Sequence, residues 1–261
     1  KQEYAKPGDE LRSKVPCIYE VETGRAIIPS TELFDKQYEL FWFRWNEQGT
    51  GVTFEYNERG HQVYRLLELS AATGKVRTVV EEKSNTFVNH QRMYRRFLRG
   101  GNELIWMSER DNWNHLYLYD YATGKVKNQI TKGPWYVREV LHVDEEARQI
   151  YFTANGMEVD NSSTAKEDPY LIRYYRINFD GTDLTCLTPD EGNHTATFSR
   201  DRKYLVDVHS LVDRAPEASV RRVSDGSLVM RLEKADITKL VEAGWRAPEV
   251  FVAKGRDGKT D

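Results

Sequence analysis

The chain has 261 residues, with 38 Lys and Arg against 41 Asp and Glu, for a formal net charge of −3. That balance excludes a general polyanion binder, so no nucleic-acid partner is expected, and no run of about 18 uninterrupted apolar residues exists to form a membrane-spanning helix. Cys17 and Cys186 allow at most one bridge and sit in no metal-ligand spacing, while 15 Tyr and 6 Trp argue for a packed core rather than disorder.

Lys1 is followed by no apolar targeting segment, so any such segment is expected to be removed or to lie upstream. Moving along the chain, "VETGRAI" (21–27) recurs as "AATGKVRTVV" (71–80) and "YATGKVKNQI" (121–130). Gly24, Gly74 and Gly124 are thus spaced by 50 residues, and looser copies follow around Gly181 and Gly226. Each copy sets a Thr-Gly or Asp-Gly turn between two β-rich segments, a hairpin signature that relies on the freedom of glycine at positive φ.

Between these turns the segments read as strands. "GVTFEY" (51–56), "NELIWMS" (102–108), "RQIYFTA" (148–154) and "RKYLVDV" (202–208) are short β-branched and aromatic runs, each preceded by a polar turn. A longer strand then leads into each glycine turn, and "HLYLYD" (115–120) and "YRINF" (175–179) alternate as strands with one wetter face do. The repeating unit is four strands. A register this long points to an all-β β-propeller rather than to a helical repeat or a sandwich.

Four blades are expected, at 38–82, 90–131, 136–188 and 194–233, with the tail of a preceding blade at 15–28. The polar insertion 156–168 reads as an exposed loop, and "NSS" (161–163) and "NHT" (193–195) are glycosylation sequons. After the partial propeller (1–234), "ADITKLVEAGW" (235–245) reads as a short helix capped by Asp236 and ended by Gly244. A strand at Val250 and Val252 and a glycine-rich turn follow, with no partner strand after them, so the chain is read as a fragment of a longer protein.

Chemistry-bearing motifs are scarce. There is no G-x-S-x-G elbow, and the nearest serine, Ser227 in "SDGSLV", lies in a repeat turn, so no catalytic residue is expected. HExxH, GxGxxG and Walker A sequences are missing as well. The six histidines (His61, His90, His115, His142, His194 and His209) never reach ligand spacing on one helix. They are therefore expected to lack partners, with neither metal nor cofactor bound.

The segments 4–24, "SERDNWNHLYLYDYATGKVKNQITKGPWYV" (108–137) and "IRYYRINFDGTDLTCLT" (172–188) resemble the N-terminal propeller of the dipeptidyl peptidase IV family. These are serine peptidases of the prolyl oligopeptidase clan, and the resemblance is to the bacterial dipeptidyl and prolyl tripeptidyl peptidase type. The resemblance implies an eight-bladed propeller, of which this is about half. It also implies an α/β-hydrolase domain of the same polypeptide, carrying Ser, Asp and His, that removes di- or tripeptides with a preference for Pro or Ala. The propeller would gate and help position short peptide substrates, in a protein exported to the bacterial periplasm.

In that family a Glu pair holds the substrate amine, in a segment upstream of the region matched here. Glu81-Glu82 and Glu145-Glu146 lack its neighbours and read as solvated turn charges. The inter-blade link 84–96 nominates Phe87, Asn89 and His90 as substrate-lining residues, with Arg92, Arg95 and Arg96 as a basic cluster beside them. Trp113, Trp135 and Tyr136 read as blade-packing aromatics, and Arg110 and Asp111 as turn-fixing residues. Exposed blade edges imply self-association. A freestanding propeller that binds protein or glycan is the alternative reading.

Overall fold

A computed structural model describes residues 8–9, 12–157, 168–249 and 251–260. Most of the 156–168 insertion and its sequon at 161–163 lie outside the described residues, as does Val250. A two-stranded pair comes first, β1 (Ile18–Tyr19) against β2 (Ala26–Ile27). A first sheet follows, of β3 (Gln37–Trp45), β4 (Gly51–Glu58), β5 (Val63–Ser70) and β6 (Val76–Lys83). The second holds β7 (Arg95–Phe97), β8 (Glu103–Ser108), β9 (His115–Asp120) and β10 (Lys125–Gln129).

The third sheet holds β11 (Tyr136–Asp144), β12 (Gln149–Asn155), β13 (Ile172–Asn178) and β14 (Thr185–Cys186). The fourth holds β15 (Asn193–Phe198), β16 (Tyr204–Leu211), β17 (Arg214–Arg222) and β18 (Leu228–Lys234). Strands neighbour one another in chain order in all four, the up-and-down order of a blade. The chain divides into two compact units, 1–150 with 177–183, and 151–176 with 184–261.

Positive φ is common to Gly24, Gly74, Gly124, Gly181 and Gly226, and at some of these turns a close backbone contact adds a steric reason for glycine. Gly124 turns the chain at φ +67 between β9 and β10, and a Cβ there would meet the carbonyl oxygen of Val79, on β6, at 2.9 Å. In the second unit Gly226 repeats the arrangement, its Cβ position lying against the carbonyl of Cys186 on β14. A side chain is therefore excluded twice, by the left-handed backbone and by the neighbouring sheet's edge carbonyl. In the first unit Arg77 adds cross-sheet bonds, donating to the carbonyls of Tyr121 at 2.9 Å and Ala122 at 3.0 Å.

Side chains facing each other from the first two sheets form one core of Tyr64, Leu66, Val79, Val80, Leu104, Trp106, Tyr117, Tyr119 and Tyr121. A second core joins Phe34, Leu40, Phe54, Tyr56, Leu67 and Leu69, with Phe34 and Phe54 edge-to-face at 5.4 Å. The register of β5 against β6 shifts between Leu66 and Leu67, and these two residues serve different cores. β13 alternates as expected. The one-faced reading of β9 is corrected: all residues from His115 to Tyr119 are buried, because β9 is an inner strand covered on both sides.

The expected helix shrinks to α1 (Thr238–Glu242). Asp236 does not cap it. Its carboxylate instead accepts the amide and hydroxyl of Thr238, at 2.9 and 2.6 Å, while Ile237 occupies the cap position. Residues 251–260 form no strand, since a β-run without a pairing partner has no ladder to join. No helix among the described residues is long and apolar enough to cross a membrane.

Candidate functional site

In the first unit, the end of β6, the 84–94 link, the β8–β9 hairpin and Tyr136 enclose a cavity of about 510 Å³. Its floor is an ion pair between buried Glu82 and the more exposed Arg110. Alternation along β6 turns Val80 and Glu82 inward and Glu81 outward. The Glu82 carboxylate accepts Trp106 Nε1 at 2.9 Å, Ser108 Oγ at 2.8 Å and Arg110 Nη2 at 2.6 Å. Arg110 also donates to Ser108 Oγ at 2.8 Å and to the Tyr119 hydroxyl at 2.5 Å, and lies 4.5 Å over the Tyr117 ring. Burial works against the Arg110 charge, but Glu82 and Tyr119 outweigh it and hold the guanidinium above its ordinary value.

The walls are aromatic. Phe87 is 53% exposed and Trp113 42% exposed, both lining the cavity with half-buried Tyr136. Asn89 and Arg92 lie on the rim, and Arg92 makes no ion pair among the described residues. Asn114, buried, donates to the carbonyl of Val137 at 2.7 Å and so fixes the hairpin that carries Trp113.

Several residues sit where the sequence did not put them. Glu82 is not a solvated turn charge but the buried centre of the floor, because its partners arrive from the next sheet. Glu81 is exposed yet paired with Arg65 and Lys83, and Glu145 takes Arg96 and the amide of Arg99, leaving Glu146 as the solvated member. Trp113 is not a packing residue, whereas Trp135 is, buried edge-to-face on His115 at 4.8 Å. Arg110 does more than hold a turn, and Asp111 does hold one, accepting the Trp113 amide at 3.2 Å.

His90 does not reach the cavity. It stacks among His61, Tyr64 and Phe41, and its Nδ1 accepts the Asn57 amide at 3.2 Å. Burial, then the neighbouring His61, lowers its pKa. The basic cluster also disperses, since alternation on β7 sends Arg95 and Arg96 to opposite faces. Arg95 pairs with buried Glu55 and covers the Trp42 ring at 4.0 Å, Arg96 pairs with Glu145 at 2.7 Å, and Arg92 alone meets the cavity.

In the second unit two histidines find partners, contrary to expectation. His194 Nδ1 lies 2.8 Å from Asp207 Oδ1, and His209 stacks on His194 with ring centres 5.2 Å apart. Arg221 donates to the other Asp207 oxygen at 3.0 Å and pairs with Asp190. Antiparallel pairing of β15 with β16 brings these residues together, a contact between strands that helix spacing does not register. Ser227 sits in the β17–β18 turn, its amide donating to Asp225 at 2.9 Å.

The model for the dipeptidyl peptidase IV (DPP IV) N-terminal region matches residues 1–216. Dipeptidyl peptidase 4 of Arthroderma otae and that of Trichophyton equinum are each 31% identical over 102 residues, 38% of this chain and 12% of either relative. The crystal structure of Porphyromonas gingivalis dipeptidyl peptidase 4 superposes with a TM-score of 0.58 at 20% identity, over 87% of this chain and 30% of that one. The chain thus spans a minor part of the length of these proteins. Four blade-type sheets, the repeated glycine contacts and a family match over most of the sequence agree: this chain is a partial β-propeller belonging to the dipeptidyl peptidase IV N-terminal-region family.

Proposed function

We propose that the chain is the non-catalytic propeller segment of a dipeptidyl-peptidase-IV-like serine peptidase of the prolyl oligopeptidase clan. In this reading it gates and helps position short peptides, while an α/β-hydrolase domain of the same polypeptide cleaves N-terminal di- or tripeptides after Pro or Ala. That domain would act by acyl transfer through a Ser-His-Asp triad. The reading places the protein in the bacterial periplasm.

The observation that carries the reading is the 510 Å³ cavity. Phe87, Trp113 and Tyr136 offer ring faces to a pyrrolidine or methyl group, and aromatic surface of this kind suits apolar side chains with little conformational freedom. Arg92 on the rim is available to a peptide carbonyl or carboxylate. Arg110, already engaged by Glu82 and Tyr119, serves to hold the floor rigid. Phe87 and Asn89 keep their proposed lining role, and His90 acts behind the wall through packing.

The same reading includes self-association between two copies through an exposed sheet edge. β18 is exposed throughout and carries Leu228, Val229, Met230 and Leu232. Sedimentation is then concentration-dependent, and a monomer at all concentrations removes this part. Incubated with Gly-Pro and Ala-Pro chromogenic amides, the chain alone gives no hydrolysis. Turnover that co-purifies with the chain overturns the non-catalytic reading.

A further inference from the structure

The antiparallel register sets His194 on β15 directly opposite His209 on β16, and Asp207 lies two residues before His209 on the same face. Their ligand atoms all fall within 4.8 Å of one another. We propose that His194, Asp207 and His209 form a divalent transition-metal site, of the zinc class, that staples β15 to β16.

The hydrogen-bond inventory of His194 leads there. Its Nε2 lies 2.7 Å from the carbonyl oxygen of Asp190, which only accepts, so Nε2 carries a hydrogen. Its Nδ1 faces a carboxylate at 2.8 Å, which also only accepts when ionised. Arg221 Nε donates to the other Asp207 oxygen at 3.0 Å, the ion-pair geometry of an ionised carboxylate. Two acceptors cannot face each other across 2.8 Å unless a cation stands between them, either a proton or a metal ion.

His209 discriminates between the two. Its Nδ1 is buried and has no hydrogen-bond partner among the described residues. A proton shared by His194 and Asp207 leaves that nitrogen orphaned, whereas a metal ion takes it as a third ligand. The surroundings match those of a metal centre, where a ligating imidazole donates its other N–H to a carbonyl and a ligating carboxylate is itself hydrogen-bonded. His194 donates to Asp190, and Asp207 accepts Arg221 Nε at 3.0 Å.

Geometry and ligand type favour zinc. Tetrahedral zinc with bonds of about 2.0–2.1 Å places its ligands about 3.3 Å apart. The His194–Asp207 contact opens by roughly half an ångström from 2.8 Å, and His209 draws in. Two imidazoles and one carboxylate suit zinc, cobalt or copper better than calcium or magnesium, which take oxygen sets. The side chains of His194 and Asp207 are 0% exposed, while half-buried His209 gives the ion its way in and leaves a fourth position for water. Glu217, the cross-strand neighbour of His209, is held by Arg231 at 2.9 Å and Lys234 at 2.7 Å and stays outside the ligand set.

The test is calorimetric titration of the chelator-stripped chain with zinc, alongside visible absorption on adding cobalt. The expected result is one ion per chain and the intense absorption of tetrahedral cobalt. His209→Phe, checked for folding by circular dichroism, weakens zinc by about 100-fold or more, while His61→Ala, at the other histidine pair, leaves binding unchanged. His194→Ala gives the same loss if it folds, and His209→Phe carries the test if it does not. No stoichiometric binding, binding that survives His209→Phe, or binding lost in His61→Ala overturns the proposal.

Discussion

His115 in the first unit and His194 in the second are both buried, and each directs Nε2 at a backbone carbonyl, of Gly133 at 2.9 Å and of Asp190 at 2.7 Å. They differ at the other nitrogen. Nδ1 of His115 meets the hydroxyl of Thr131 at 3.0 Å, and that hydroxyl also accepts the amide of Leu116 at 2.9 Å. That hydroxyl keeps a hydrogen it can donate to the ring, so the geometry around His115 demands no cation. Nδ1 of His194 meets a carboxylate and needs a cation. A single partner, hydroxyl or carboxylate, separates a closed structural histidine from one that gathers charge.

The largest expected effect lies on the charged side. Asp207→Ala leaves Arg221 and His194 buried without their shared anion, and breaking such a network costs about 3–5 kcal/mol. Urea unfolding measures it. Asp207, with its lowered pKa, contributes stability that is present at neutral pH and lost as pH falls through its folded value.

Glu55 in the first unit sharpens the contrast by having the opposite sign. Burial pushes its pKa up to about 7, against the pull of Tyr64 and Arg95. Folding then takes up a proton between about pH 4.5 and 7. This contribution is fully present below pH 4.5 and falls as pH rises to 7, by roughly 3 kcal/mol at most. Denaturant midpoints measured across that window decline in the native chain, and Glu55→Gln flattens the decline.

Thr131→Val tests the neutral side. It removes one partner of His115, for a cost of about 1–3 kcal/mol in the same unfolding assay. A loss as large as that of Asp207→Ala breaks the distinction between the two histidines. Smallest in stability is Trp113→Ala, within about 0.5 kcal/mol, because the ring lines a cavity rather than filling a core.

What could be read from the sequence was what repeats. The glycine spacing is legible because each of these turns needs a positive φ, and at Gly124 the carbonyl of Val79 leaves no room for a side chain besides. Inner and outer strands are likewise marked by their residue types, although double burial of β9 erased the wetter face its alternation suggested. The cavity was half legible: the inter-blade link identified Phe87 and Asn89, but a link has no period from which to tell that His90 turns the other way. Glu82 and the His194–Asp207 pair were illegible, since their partners lie 13 to 28 residues off on other strands, and charge alone does not reveal burial.

The proposed peptide-positioning role of the cavity is tested most directly by steady-state kinetics of a polypeptide that joins this chain to the hydrolase domain proposed for it. Trp113→Ala and Phe87→Ala are compared with the parent on a Pro-containing peptide long enough to reach the cavity. Loss of one aromatic contact, worth about 1 kcal/mol, raises KM roughly fivefold and leaves kcat within about twofold. Unchanged constants in both variants, or a fall in kcat at constant KM, contradict a positioning role for the cavity.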